Sequence, residues 1–199
     1  NLYSQIVSLQ GSGANVFFNV TTPKFTAQAI RTIHDIGWHP LHLLNNVGSS
    51  IGAALKPAGL DKSVGIITAL YGKSAADPHW DNDRGMRDFL AFMKKYDPLA
   101  DPTDGGAGNG YSIAMNFVIL LKQCGDDLTR ENLMRQMANM KNIELPLLLP
   151  GIKVNTSPTN FFPIQQEQLS RFDGKSWVLF GEVINAGSGR NTASVDKFP

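Results

Sequence analysis

The strongest constraint on this chain lies in its first seventy residues, where strand-like apolar runs alternate with amphipathic helical runs across short connections. "YSQIVSLQGSG" reads as a helix closed by glycine, with Leu2, Ile6 and Leu9 at helical spacing, and "ANVFFNV" as a short strand of β-branched and aromatic residues. "TTPKFTAQAIRTIHDIGW" predicts a helix with Thr22 as N-cap and Pro23 at its first position, and it sets Phe25, Ala29, Ile30, Ile33 and Ile36 on one face. "PLHLLNN" is the next strand and "SSIGAALKPAG" a short helix, opened by Ser49 or Ser50 and stopped by Pro57 and Gly59; "SVGIITALY" is a third strand. Strands and helices in alternation bury their apolar faces best as a parallel sheet flanked by helices, so the fold class is α/β.

After Tyr71 the pattern changes. Residues 72–84 and 100–110 are polar, rich in Asp, Pro and Gly, and are expected to be irregular. Between them a helix places Met86, Phe89, Leu90, Met93 and Tyr96 on one stripe. "YSIAMNFVILLKQC" is a helix apolar nearly all round, ended by Gly125, and is expected to stand apart from the sheet of residues 14–70. "TRENLMRQMANM" reads as an amphipathic helix capped by Thr129 with Leu133, Met134 and Met137 inward. "EQLSRFDGKSWVLFGEVI" reads as a hairpin in which Asp173 and Gly174 form a type I′ turn, followed by a loose polar tail over 185–199.

The chemical motifs are mostly negative. "GGAGNGYS" opens a helix and invites a phosphate-site reading, but Tyr111 stands where a P-loop needs lysine, and the glycine spacing does not fit a dinucleotide fingerprint. On composition the stretch is a flexible connection. His39 and His42 fall on opposite faces of a strand, which disfavours a metal site; no G-x-S-x-G elbow occurs. His79, Trp80 and Asp81 read as a surface cluster, and Asp81, Asp83 and Asp88 as charges favouring a helix start. No acid and base pair assembles, so the chain is expected to be no enzyme and to carry no cofactor.

A formal net charge of +1, from 18 Lys and Arg against 17 Asp and Glu spread along 199 residues, prepares no surface for nucleic acid. No apolar run approaches the roughly 20 residues of a membrane span. One cysteine, Cys124, leaves no internal disulfide. The chain begins inside a helical pattern without an initiator Met or signal peptide, and it is expected to be a piece of a longer protein.

Taken in order, "QGSGANVFFN", "QAIRTIHDIGW" and "LLPGIKVNTSPTNFFPIQQEQLSRFDGKSWVLFGEVI" resemble the second half of a periplasmic solute-binding protein. The family is that of ABC-transporter receptors for branched-chain amino acids and amides, and the subgroup most similar is that of alphaproteobacterial receptors for aromatic acids. The resemblance implies the type I periplasmic-binding fold, two α/β lobes joined by three crossovers with the ligand between them. It implies that residues 1–97 belong to the second lobe, that 98–164 hold a crossover and two helices of the first lobe, and that 165–184 are the return crossover. The glycine-rich stretch 104–110 becomes a hinge.

The resemblance also implies a periplasmic location, a small organic acid as ligand and ABC permease subunits as partners; a sensory domain of the same fold is the alternative. The family holds a ligand ammonium with a glutamate at a position falling on or next to Val47, beside Asn46, and stacks an aromatic ring at a position falling on Thr21 or Thr22. Both positions depart from the amino-acid pattern. An aromatic carboxylate is therefore the expected ligand, with Tyr71 and Tyr111 as candidate stacking partners.

Overall fold

The computed structural model describes residues 2–185. Its elements are α1 (Tyr3–Gly11), β1 (Val16–Asn19), α2 (Pro23–Asp35), β2 (Leu41–Leu44), α3 (Lys56–Ala58, entered from a π-helical Ile51–Leu55), β3 (Ile67–Leu70), α4 (Arg84–Tyr96), α5 (Gly105–Cys124), α6 (Arg130–Met137), β4 (Gln166–Phe172), β5 (Trp177–Leu179) and β6 (Ile184–Asn185). The sheet runs β1-β2-β3-β4-β5, with β6 paired to the start of β4. The first three strands are parallel, in the register Val16 to Leu41 and Leu43 to Ile67, and β4 and β5 add antiparallel. This is the mixed α/β architecture the alternating pattern requires.

The α2 helix buries Thr26, Ala27, Ala29, Ile30 and Ile33, while Phe25 at its entry stays exposed. With Ile6 of α1, Trp38 and Phe17, residues Ala29 and Ile33 form one apolar cluster on the sheet. A larger core gathers Leu44, Leu55, Leu70, Leu120, Leu149 and Phe172. His42 is buried on the helix-covered side of the sheet. The Asn19 amide nitrogen lies 3.2 Å from its Nε2, and because an amide N–H can only donate, the imidazole is the acceptor and neutral. Burial pushes its pKa down to about 4.

Several local expectations give way to tertiary structure. Residues 105–110 are helical, forming the first turns of α5, because Asp104 caps the helix by accepting from Gly106 N–H (3.0 Å). The connection is therefore irregular only up to Asp104. Nor does α5 stand apart: Leu120 joins the core that holds Leu44 and Leu70. The chain stays helical through Pro57, and the helix ends before Gly59. Ser50 is the capping serine, accepting from Ala53 N–H.

The hairpin turn is not type I′. Only Gly174 has positive φ, and Asp173 Oδ1 instead accepts from both Lys175 N–H and Ser176 N–H, closing a four-residue loop. In α6 the buried residue is Asn132, whose amide donates to the carbonyls of Cys124 and Asp127, whereas Met134 and Met137 are exposed. Tyr96 is exposed at the end of α4, past the buried stripe of Met86, Phe89 and Met93. Residues 186–199 of the polar tail lie outside the described residues.

Candidate functional site

Because β2 and β3 run parallel, the loops that follow them lie at the same edge of the sheet, and a cleft of about 400 Å³ opens there. The carboxyl ends of strands are where open α/β sheets hold ligands. The floor is apolar, formed by Leu70, Trp177 and Leu179; Trp80, Met86 and Phe89 make one wall, and Leu147 to Leu149 with the start of α5 make another.

These segments are held by a few strong tethers. Residues 71–73 run against 147–149, with Leu149 N–H donating to the Tyr71 carbonyl (2.9 Å) and Lys73 N–H to that of Leu147 (2.8 Å). The Lys73 ammonium, with a side chain 9% exposed, donates to Asp83 Oδ2 (2.8 Å) and to the Pro146 carbonyl (2.9 Å), and sits 5.2 Å from the centre of the Trp80 ring. Burial pushes the Asp83 carboxyl up, but the Lys73 hydrogen bond and charge and the Met86 N–H outweigh it and hold the group below the usual carboxylate range. Asp83 also caps α4 through Met86.

Two glycines permit close approach. A Cβ on Gly52 would fall 2.6 Å from Thr103 Oγ1 and 2.7 Å from its carbonyl oxygen; one on Gly85 would fall 2.6 Å from the Pro146 carbonyl. The segments around Thr103 and Pro146 therefore rest directly on the backbone of the α/β unit.

Trp177 ties the floor together. Its indole N–H donates to the Ser49 carbonyl (3.0 Å), its backbone N–H to Asp77 Oδ2 (3.3 Å), and its ring lies 5.3 Å from that of Phe172. Asp77 Oδ1 accepts from His79 N–H (2.9 Å). Burial pushes the Asp77 carboxyl upward, and the His79 and Trp177 N–H groups act against it.

The six residues singled out from the sequence divide evenly. Asn46, Val47 and Tyr71 line the cleft. The Asn46 amide donates to the Ala69 carbonyl (3.0 Å), Val47 is 60% exposed at the mouth, and Tyr71 is half-buried, its hydroxyl pushed up by burial and by the charge of Glu167. Thr21, Thr22 and Tyr111 are not among the lining residues. Thr21 Oγ1 donates to Asn19 Oδ1 (2.6 Å) and lies 2.8 Å from Thr26 Oγ1; Thr22 begins α2, its carbonyl accepting from Phe25 and Thr26 N–H, and the neighbouring Pro23 reaches the cleft instead. Tyr111 packs between Phe89 and Phe92, 5.2 Å from each ring centre.

Sequence reasoning passed over Lys73, Asp77 and Trp177, and it read Trp80 as part of a surface cluster, whereas the Trp80 ring lines the cleft and packs against the apolar core. The available signal was Trp177: a Trp in a strand or loop that becomes buried must find an acceptor for its N–H, which marks it as a junction between segments.

Residues 1–176 match the family described as periplasmic binding protein. The chain belongs to that family. Among solved structures it is similar to a branched-chain amino acid ABC transporter protein of Thermus thermophilus with bound valine, at 14% identity over 94% of this chain and 50% of the other, with a TM-score of 0.78. It is similar to a substrate-binding periplasmic protein of Ralstonia solanacearum, at 18% identity over 90% and 49% with a TM-score of 0.74. It is also similar to an R. palustris solute-binding protein in complex with 4-hydroxybenzoate, at 16% identity over 93% and 49% with a TM-score of 0.68. Comparison with curated proteins returns no match.

Identities this low establish the fold, and the chain spans about half the length of these periplasmic binding proteins. Membership places it among periplasmic binding proteins. Among the described residues no helix is long and apolar enough to cross a membrane.

Proposed function

We propose that the chain is part of an extracytoplasmic receptor that delivers a small organic acid, an aromatic carboxylate, to the permease subunits of an ABC importer. Residues 1–97 supply one lobe of the cleft, the helices of 98–164 pack on the other lobe, and the return strands close the floor. The observation that carries the reading is the lining after β2. The family's amino-acid receptors set a glutamate there; here Asn46 has its amide engaged by the Ala69 carbonyl and Val47 offers only methyl groups. An ammonium brought to that position meets no carboxylate on Asn46 or Val47, the cleft's Asp77 and Asp104 being carried by other segments, whereas the rings of Tyr71, Trp80, Phe89 and Trp177 offer a flat ligand apolar contact. The R. palustris relative with bound 4-hydroxybenzoate supports this ligand class.

Leaving a buried charge unpaired costs about 3–5 kcal/mol, so the full-length receptor should prefer benzoate to leucine by two to three orders of magnitude. Titration calorimetry with the two ligands tests this, and tighter binding of leucine refutes it. Val47→Glu should weaken benzoate binding through like-charge repulsion; unchanged affinity would remove position 47 from the pocket.

A further inference from the structure

Two carboxylates line the cleft, and they differ in their surroundings. Asp104 is exposed at the start of α5 and serves as its cap. Asp77 is 3% exposed, and no ion pair holds it among the described residues. Among the described residues its hydrogen bonds come from the backbone N–H groups of His79 and Trp177, one on each oxygen. A carboxylate has room for about four. Of the charged groups that act on it, Asp173 is of like sign, and the His79 ring favours the charge. Asp77 is therefore a largely desolvated acceptor with unused capacity, set in the cleft wall beside Trp80, Leu70 and Trp177. A buried polar group in that condition is unfavourable until a donor meets it.

We propose that Asp77 is a specificity-determining residue of the cleft: it accepts a hydrogen bond from a hydroxyl group on the ligand's ring, so that the receptor takes a hydroxylated aromatic acid with its carboxylate turned away from Asp77. The inference rests on the aromatic-acid reading above and adds an orientation and a substituent to it. A ligand that entered carboxylate first would set two negative charges together in an apolar wall. Entering hydroxyl first, it supplies the one donor that the wall lacks, and a neutral hydroxyl is far less costly to bring out of water than an ammonium. Ring contact with Trp80 and Trp177 is the same in both cases, so Asp77 decides the direction rather than the stacking.

The test uses the full-length receptor and calorimetric titration with 4-hydroxybenzoate, 4-methoxybenzoate and benzoate. The methoxy compound keeps the oxygen and loses the donor. The unmodified receptor should bind 4-hydroxybenzoate at least about 10-fold more tightly than either of the other two, the range expected of a hydrogen bond to a charged group. Equal binding of the hydroxy and methoxy acids overturns the proposal without any substitution. In Asp77→Ala, which removes both acceptor oxygens, the ratio of hydroxybenzoate to benzoate affinity should collapse toward one, whatever loss the two share. A shared loss with the ratio kept would make Asp77 a structural clamp between residues 77–79 and Trp177, and would overturn the proposal while leaving the aromatic-acid reading intact. If none of the three acids binds and leucine does, the aromatic-acid reading falls, and the Asp77 assignment with it.

Discussion

The two faces of β1 and β2 are built from the same kinds of residue and end in opposite conditions. On one face Phe17, Asn19, His42 and Leu44 lie under α1 and α2, where Ile6, Ala29, Ile30 and Ile33 close over them. On the other, Val16, Phe18, Val20 and Leu41 are 48%, 65%, 62% and 45% exposed. Parallel sheets bury both faces in α/β proteins. The chain thus supplies the cover for one face only among its described residues. The α5 helix shows a related contrast along its length: Leu120 and Cys124 toward its C-terminal end are buried, while Ile113, Phe117 and Val118 are exposed. Apolar character by itself does not distinguish the closed face from the open one; what distinguishes them is whether a partner segment lies within reach.

Four substitutions sharpen or break this comparison. The largest effect belongs to Ile30→Ala, which empties a side chain 1% exposed between α2 and the core, and should cost about 2–5 kcal/mol in denaturant unfolding. A loss below about 1 kcal/mol would mean that the closed face is looser than its packing suggests.

Next comes His42. Its folded-state pKa of about 4 lies below the ordinary 6.5, so between these values the unfolded chain binds the extra proton and stability rises with pH. The contribution is fully present above about 6.5 and is lost as pH falls through that window toward 4. It amounts to roughly 3 kcal/mol. His42→Gln should flatten the stability profile between pH 4 and 6.5 relative to the unmodified chain; superimposable profiles would show that the imidazole is hydrated.

A smaller loss, about 1 kcal/mol, is expected of Trp38→Phe, which removes the indole N–H donating to the Ala14 carbonyl (3.2 Å) and keeps most of the ring. The smallest belongs to the open face. Phe18→Ser should change the stability of this chain by less than about 0.5 kcal/mol, and it should lower any tendency of the chain to associate through its apolar edge. In a longer protein that covers this face the same substitution should be costly. A large loss in the present chain would erase the distinction between the two faces.

The α/β unit was legible because its signals are local. The 3.6-residue stripe of α2, the β-branched run of β1 and the short connections each depend on residues within a turn or a strand of one another. Where local signals competed, tertiary contacts decided. Glycine composition argued for a loop at 105–110, but the Asp104 cap and the segment's contact with Ser50 made it helix. Asp-Gly argued for a type I′ turn, but the Asp173 side chain bonded to the backbone ahead of it.

The site was legible only in part. Asn46, Val47 and Tyr71 could be named because they directly follow strands, whose carboxyl ends must face one side of a parallel sheet. Asp77 and Trp177 are 100 residues apart, and Trp177 and Ser49 are 128 apart; no periodicity links such positions.

What the sequence by itself determined is the order of helices and strands, the parallel α/β class and the resemblance to the periplasmic binding family, since each is written in short-range pattern or in ordered phrases. What only the tertiary structure decided is which side chains line the cleft, which carboxylate is left with spare acceptor capacity, and which apolar faces are closed. The reason is physical. A helix or strand is selected by geometry repeated every few residues, whereas a contact between distant segments is bought with loop-closure entropy and forms only when many such contacts form together, so no single residue announces it in advance.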